Sequence, residues 1–146
     1  MKTDLYYEDV EIGDDIDTVE RMVNGEQVRA FLAIRGGGSS GPTRFTDDAH
    51  ARSEGLPGAI VPGAMNIAML AQLLTGWSPS VSIKKLDVSF RRVVPHNCPL
   101  ELKGIVTAKH VIDGEPQIEC DVMIENEEGT VHVIGHAIVV LPRRDA

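Results

Sequence analysis

Cysteine is scarce in this sequence. The chain has two cysteines among 146 residues, Cys98 and Cys120, and they form no C-x-x-C pair. A chain of this length buries about 68–70% of the surface that it exposes when unfolded, so it can fold without disulfides or a structural metal. Few and widely separated cysteines are typical of a reducing compartment. We therefore expect a cytoplasmic protein with a single domain over residues 1–146.

Positive charge is also in short supply. The chain carries 14 lysine and arginine residues against 22 aspartate and glutamate residues, which gives a formal net charge of −8. A net negative field repels the phosphate groups of nucleic acids and of anionic lipids. The composition therefore argues against nucleic acid and against a membrane surface as partners.

Neither a signal peptide nor a membrane-spanning segment is expected. Residues Met1–Asp9 lack the apolar run of a signal peptide. The segment Gly55–Ile83 contains no charged residue, but prolines, an asparagine and a glutamine interrupt it. Its helical part, Pro62–Thr75, is shorter than the ~20 apolar residues that cross a bilayer. Because this helix is apolar nearly all round, we expect the fold to enclose it.

Helical signals dominate the first half of the chain. Asn24, followed by Gln27, is typical of a capping box and predicts a helix that the glycine run at residues 36–38 ends. Asp47–Glu54 is expected to form a short helical turn. Pro62 suits the first turn of the apolar helix, where its missing N–H costs nothing.

The second half changes to a hydrophobic period of two, which indicates strands. Apolar residues alternate in four runs over residues 81–141, in addition to an early strand near residues 17–23. A change of phase at residues 84–85 predicts a bulge, and the Asp-Gly pair at residues 113–114 is typical of a hairpin turn. Short turns favour antiparallel pairing. We therefore predict an α+β fold in which a curved antiparallel sheet wraps around a central buried helix.

Four segments, in this order, resemble the MaoC-type (R)-specific enoyl-CoA hydratases and dehydratases, which have the hot-dog fold. They are the start of the chain, the first helical region, the run into the central helix, and the following strand and loop: Tyr7–Asp14, Thr18–Ile34, Asp47–Gly63 and Phe90–Pro95. The resemblance implies a hot-dog domain that binds an acyl thioester of coenzyme A or acyl carrier protein, with no cofactor. Family members add water to an enoyl thioester or remove it from a 3-hydroxyacyl thioester.

The proton-transfer residues of this family are not found in the sequence. The family loop before the central helix reads roughly Ser-Gly-Asp-x-Asn-Pro-x-His-x-Asp, and its Asp and His move the protons of the reaction. Counting without gaps places Ser40 at the aspartate position and Phe45 at the histidine position. A shift by one residue places Ser39 and Arg44 there instead. The resemblance therefore implies a thioester-binding frame whose acid–base pair is replaced.

The resemblance also implies a set of substrate-binding residues. They surround the start of the central helix: Ser40, Phe45, Val61, Gly63 and Ala64. A backbone N–H near Gly63, helped by the helix dipole, would donate to the thioester oxygen. Alternatively, a small residue at position 63 lets the helix start close to the sheet, and both interpretations can hold at once.

Asp47 and His50 are the nearest carboxylate and imidazole to the altered loop. At positions i and i+3 of a helical turn they would share a face and replace the missing pair. The alternative, which we favour, is that Asp47 caps the turn and His50 faces solvent.

Two further patterns are candidate ligand sites. The glycine-rich residues 36–41 lack the ending of a P-loop, although Arg35 or Arg44 beside them would suit a phosphate of coenzyme A. His132 and His136 lie four residues apart on a predicted strand and have no evident third ligand, so no metal site is expected.

Three functions fit the sequence. The first is a non-catalytic MaoC-like subunit that pairs with an active hydratase or dehydratase chain. Trp77–Ser80 with Ile83 and Lys84 resembles the partner subunit of heteromeric hydratases in steroid side-chain degradation. The second is an active enoyl-CoA hydratase or 3-hydroxyacyl dehydratase that uses Asp47 and His50. The third is a homodimeric module for another small apolar ligand. We expect an oligomer in each case, either a homodimer or a heteromer with a MaoC-like chain.

Overall fold

The structure is a computed structural model that describes residues 3–34 and 41–145. A turn of 3-10 helix at Tyr7–Asp9 precedes the first strand. The regular elements within these residues are β1 (Asp15–Arg21), α1 (Gly25–Ile34), α2 (Asp48–Ser53), α3 (Gly63–Thr75), β2 (Ser82–Phe90), β3 (Leu100–Ile112), β4 (Glu115–Asn126) and β5 (Val131–Val140). The predicted order of one strand, three helical segments and four strands is confirmed.

The strands form one antiparallel sheet in the order β1-β3-β4-β5-β2. β3 and β4 are joined by the predicted hairpin turn, in which Asp113 and Gly114 have φ values of 51° and 81°. The pairing of β2 with β5 shifts its register between Ile83 and Lys85, so the predicted bulge is confirmed. Short turns place β3, β4 and β5 side by side, and β1 and β2, which precede them in the chain, pair at the two edges.

The start of α1 follows from its side-chain cap. The N–H of Asn24 donates to Gln27 Oε1 at 2.9 Å, and the N–H of Gln27 donates to Asn24 Oδ1 at 2.8 Å, as the capping box predicts. The glycines at 36–38 that were expected to end this helix lie outside the described residues. The early strand predicted at residues 17–23 lies two residues nearer the start of the chain, over Asp15–Arg21.

The sheet covers one face of α3. Met69, Leu70, Leu73 and Leu74 are buried against it and form the centre of the core. On the opposite face, Ala68, Gln72 and Thr75 are exposed, and 40% of Ile67, at the edge of the buried face, is exposed as well. The expectation that α3 is enclosed on every side is therefore wrong for the single chain, because one layer of sheet contacts only one side of a helix. No helix among the described residues is long and apolar enough to span a bilayer.

Candidate functional site

α3 begins at a point where neighbouring segments hold the chain from two sides. The N–H of Val61 donates to the carbonyl of Val94 at 2.7 Å, and the N–H of Ile60 donates to the carbonyl of Arg44 at 3.0 Å. These hydrogen bonds fix the backbone just before Gly63. The position of the helix start is therefore set by segments on both sides of α3 in the sequence.

The first N–H groups of α3 are available to a ligand. Pro62 occupies the N-cap position and supplies no side-chain acceptor. The N–H groups of Met65 and Asn66 turn back to the carbonyl of Pro62, at 3.0 and 3.3 Å. Within residues 3–34 and 41–145, the N–H groups of Gly63 and Ala64 have no acceptor. The helix dipole places partial positive charge at the same end of α3. The two N–H groups can therefore donate hydrogen bonds to an oxygen atom of a ligand.

A cavity of about 270 Å³ opens beside these donors. Val61 and Val94 give it an apolar floor, and the ring of Phe90 forms one wall. The ring approaches the helix closely, since a Cβ at Gly63 would lie 3.0 Å from Cζ of Phe90. Glycine at position 63 therefore allows the end of β2 to pack against the start of α3, which supports the small-residue interpretation without excluding the donor role.

Asn66 lines the same cavity, one turn further along α3. It is 3% exposed, and its Oδ1 has no hydrogen-bond partner in the part of the chain that the structure describes. Leaving an amide oxygen buried and unpaired costs about 1–3 kcal/mol. In the sequence, Asn66 indicates only an interruption of the apolar run.

Two arginines follow Phe90 at the rim of the cavity. Arg91 and Arg92 are exposed, and neither forms an ion pair with a described residue. By contrast Arg44, which the sequence proposed for a coenzyme A phosphate, pairs with Glu54 at 2.9 Å. Arg35, the other candidate, lies outside the described residues.

Asp47 and His50 lie at the start of α2, but each side chain bonds to a group other than the side chain of the other residue. Asp47 Oδ2 accepts the backbone N–H of His50 at 2.7 Å, so the predicted cap of α2 is confirmed. The ring of His50 contacts Glu54 Oε2 at 2.7 Å through Nε2, and 39% of the His50 side chain is exposed. The i, i+4 spacing of His50 and Glu54 was the signal for this pair.

The other predicted substrate-binding residues divide between the cavity and the core. Val61 and Gly63 line the cavity, and Ala64 follows Gly63 as the second open donor. Phe45, which the count without gaps aligns with the family histidine, packs against the hydrophobic core. Ser40 lies outside the described residues.

Neither cysteine is placed for nucleophilic chemistry. Cys120 is fully buried, and desolvation raises its pKa to about 12. Desolvation also raises the pKa of the Cys98 thiol. The thiolate form of both residues is therefore disfavoured at neutral pH.

His132 and His136, the two histidines with candidate ligand spacing, bond to protein groups. His132 is buried, with its Nδ1 2.8 Å from the carbonyl of Val93. His136 contacts the carboxylates of Glu119 and Asp121 at 2.7 and 2.9 Å. Among the described residues, no three histidine, cysteine or carboxylate side chains form a cluster able to hold a metal ion.

No protein-family model matches the sequence, and no curated protein matches it either. Solved structures do match. R-hydratase PhaJ1 from Pseudomonas aeruginosa, in the unliganded form, superposes with a TM-score of 0.83 at 17% identity, covering 97% of this chain and 88% of that one. A MaoC-like dehydratase from Rhodospirillum rubrum superposes with a TM-score of 0.80 at 22% identity, covering 96% and 98%.

A third match is the ChsH1-ChsH2 complex from Mycobacterium tuberculosis, with a TM-score of 0.75 at 18% identity, covering 90% of this chain and 98% of that one. At these identities the likeness establishes the fold. The chain has the α+β hot-dog fold of MaoC-like hydratases and dehydratases, as the sequence resemblance predicts.

Proposed function

We propose that this protein binds an acyl thioester at the start of α3 and is a MaoC-like subunit that pairs with an active hydratase or dehydratase chain. The observation that carries the proposal is the pair of open N–H groups at Gly63 and Ala64, at a helix start where Gly63 lines a cavity together with apolar residues. The fold is shared with proteins described as hydratases and dehydratases, which supports the same class of ligand.

The two donors suit a thioester carbonyl. When a proton is removed from or added to the carbon next to a thioester, the carbonyl oxygen gains negative charge. Fixed N–H groups at a helix start stabilise that charge without having to reorganise. The donors of Gly63 and Ala64 would therefore hold the thioester and polarise it.

The lining of the cavity supports a non-catalytic role. The described residues around it are aliphatic, aromatic, amide or guanidinium side chains and glycine: Ile60, Val61, Gly63, Asn66, Phe90, Arg91, Arg92, Val93 and Val94. A hydratase needs a group that exchanges a proton near neutral pH, and arginine stays protonated there. Phe45, in place of the family histidine, cannot move a proton. We therefore assign proton transfer to a partner chain.

Pairing with another chain has a structural precedent in the matched ChsH1-ChsH2 complex. Native mass spectrometry of protein purified from its own cells tests the pairing. We expect a complex that contains a second, MaoC-like chain. A homomer that turns over enoyl-CoA at a hydratase rate would contradict the non-catalytic role.

A second candidate function is an active hydratase or dehydratase with relocated groups. The contact between His50 Nε2 and Glu54 Oε2 at 2.7 Å favours it, because a carboxylate orients an imidazole for proton transfer. Replacement of His50 or Asp47 by alanine would then abolish turnover of crotonyl-CoA by the purified chain. Unchanged turnover in both variants would exclude this candidate.

The thioester site itself is tested by two substitutions at one position. Gly63→Pro removes the N–H but keeps the helix start, because proline is tolerated at the first helical position and Pro62 already has the extended ψ of 144° that precedes proline. Gly63→Ala adds the same Cβ against Phe90 and retains the N–H. By calorimetry, we expect butyryl-CoA to bind Gly63→Pro about 10-fold more weakly than Gly63→Ala.

Circular dichroism of both variants controls for folding. Equal affinity of the two folded variants would contradict the donor role of Gly63. Failure of the unaltered protein to bind butyryl-CoA would contradict the proposed thioester site as a whole.

A further inference from the structure

Asn66 is a buried polar side chain that the fold leaves unsatisfied. It lies on the inner part of α3 near leucines that are fully buried, yet its Oδ1 finds no donor among residues 3–34 and 41–145. Buried polar side chains in native proteins nearly always have a hydrogen-bond partner, and an exception calls for an explanation. The cavity that Asn66 lines is the space from which a partner would come.

The geometry of a helix directs this side chain toward the open donors. Residues i and i+3 share a helical face, so Asn66 lies on the same side of α3 as Gly63. Side chains in a helix tilt toward its N-terminus, which brings the carboxamide back over the first turn. With a rise of 1.5 Å per residue, the two residues are separated by about 4.5 Å along the helix axis.

The chemistry of the site limits the kind of ligand group that can bind Oδ1 of Asn66. An amide oxygen accepts a hydrogen bond, so its partner must carry an O–H or N–H. The exposed guanidinium groups of Arg91 and Arg92 stand at the rim and disfavour a cationic donor. A neutral donor such as a hydroxyl fits both the acceptor and the charge of the surroundings.

The position of the hydroxyl follows if the thioester oxygen lies at the N–H groups of Gly63 and Ala64. The third carbon of an acyl chain is two bonds from the carbonyl carbon. An oxygen on that carbon reaches about one helical turn from the carbonyl oxygen. It would therefore meet Asn66 while the thioester stays in place.

We infer that Asn66 determines specificity for a 3-hydroxyacyl thioester by accepting a hydrogen bond from the hydroxyl on the third carbon. The inference rests on the proposed thioester site and adds to it the substituent that the site recognises. Binding of the 3-hydroxyacyl group would give Oδ1 the hydrogen-bond partner that the fold does not supply.

The test compares two ligands that differ by one hydroxyl. Calorimetric Kd values for 3-hydroxybutyryl-CoA, each enantiomer separately, and for butyryl-CoA are measured with the unaltered protein and with Asn66→Leu, which is similar in size but has no acceptor. We expect the unaltered protein to prefer one enantiomer of the hydroxy ligand over butyryl-CoA by about 10-fold, and Asn66→Leu to lose that preference.

Gln72→Leu is the matched control, since it removes an exposed amide from the same helix and is expected to keep the preference. If Asn66→Leu does not fold, Asn66→Ala replaces it in the comparison. A preference that survives in the Asn66 variant, or that is absent from the unaltered protein although butyryl-CoA binds, would overturn the inference and leave the thioester site standing. If neither ligand binds, the proposed function fails instead.

Discussion

Polar groups on the outer face of the sheet bond to one another, whereas those at the start of α3 stay open. The outer-face cluster consists of His110, Glu119, Asp121 and His136. Glu119 contacts His110 at 2.6 Å and His136 at 2.7 Å, and the other nitrogen of His136 lies 2.9 Å from Asp121. The donors of α3 and Oδ1 of Asn66 have no such partners among the described residues.

The contacts in the outer-face cluster shift the pKa values of Glu119 and His136. Hydrogen bonds from His136 and His110 lower the pKa of Glu119. Hydrogen bonds to Asp121 and Glu119 raise the pKa of His136. Both directions favour the charged forms, so Glu119 and His136 stabilise each other's ionised state.

This difference separates two uses of polar side chains. On the outer face, partly exposed groups satisfy one another and have no need of a ligand. At the start of α3, burial removes water from Asn66 while the fold supplies no partner, which costs stability. Such a cost is typical of sites that a ligand completes. The following predictions test this contrast.

The largest effect on the free energy of unfolding is expected when a buried side chain between α3 and the sheet is shortened. Leu70 is fully buried, and Leu70→Ala should lower the free energy of unfolding by about 2–5 kcal/mol. Ile67→Ala in the same helix is the control and should cost much less, because 40% of Ile67 is exposed. Urea denaturation of both variants measures the difference. Equal losses would show that the two side chains are buried to a similar extent.

A smaller effect of opposite sign is expected at Asn66. Asn66→Leu removes an unpaired buried amide and should raise the free energy of unfolding by about 1 kcal/mol. The same variant should lose the preference for a hydroxyl ligand, so stability and specificity would move in opposite directions. A loss of stability in urea denaturation would mean that Oδ1 is already satisfied and that the site is not open.

The smallest effect is expected in the outer-face cluster. Glu119→Gln should lower the free energy of unfolding by less than about 1 kcal/mol, as is usual for ion pairs near the surface. A carboxylate with a lowered pKa stabilises the fold above its ordinary value of 4.5, and this contribution is lost as the pH falls through the lowered value. A histidine with a raised pKa contributes below its ordinary value of 6.5, and its contribution is lost as the pH rises through the raised value.

The difference between the unaltered protein and Glu119→Gln should therefore be largest between pH 4.5 and 6.5. Unfolding curves recorded across this range provide the measurement. A difference that is constant from acid to alkaline pH would show that the cluster does not couple these charges. His50→Gln serves as the comparison variant in the same unfolding measurements, because it removes a histidine–carboxylate contact that lies outside the outer-face cluster.

Local patterns were sufficient to predict most of the fold. The capping box at Asn24 and Gln27, the phase change that marks the bulge, and the Asp-Gly turn depend on neighbours in the sequence, and the structure confirms them. Asn66 is different, because its burial depends on which face of α3 the sheet covers. Likewise, His110 and Glu119 meet only through the register of β3 and β4. Side chains brought together by strand pairing leave no short-range signal in the sequence.

The sequence identifies Gly63 at the start of α3, but it does not identify the residues that surround Gly63 in the structure. Phe90 and the two arginines that follow it were assigned to a strand and loop, with no role at the site. Their place at the cavity depends on β2 ending beside the helix start, where the Phe90 ring packs over Gly63. The hydrogen bond from Val61 to Val94 spans the whole of α3 and β2, a separation that hydrophobic periodicity does not reveal.

The most direct test of the central claim is the backbone amide signal of Gly63 in an NMR titration. Butyryl-CoA carries the thioester carbonyl that we assign to this amide, and coenzyme A without an acyl group lacks it. We predict that the Gly63 and Ala64 amide resonances move downfield with butyryl-CoA and stay in place with coenzyme A. Unchanged resonances with butyryl-CoA, or equal shifts with both compounds, would contradict the assignment of the start of α3 as a thioester-binding site.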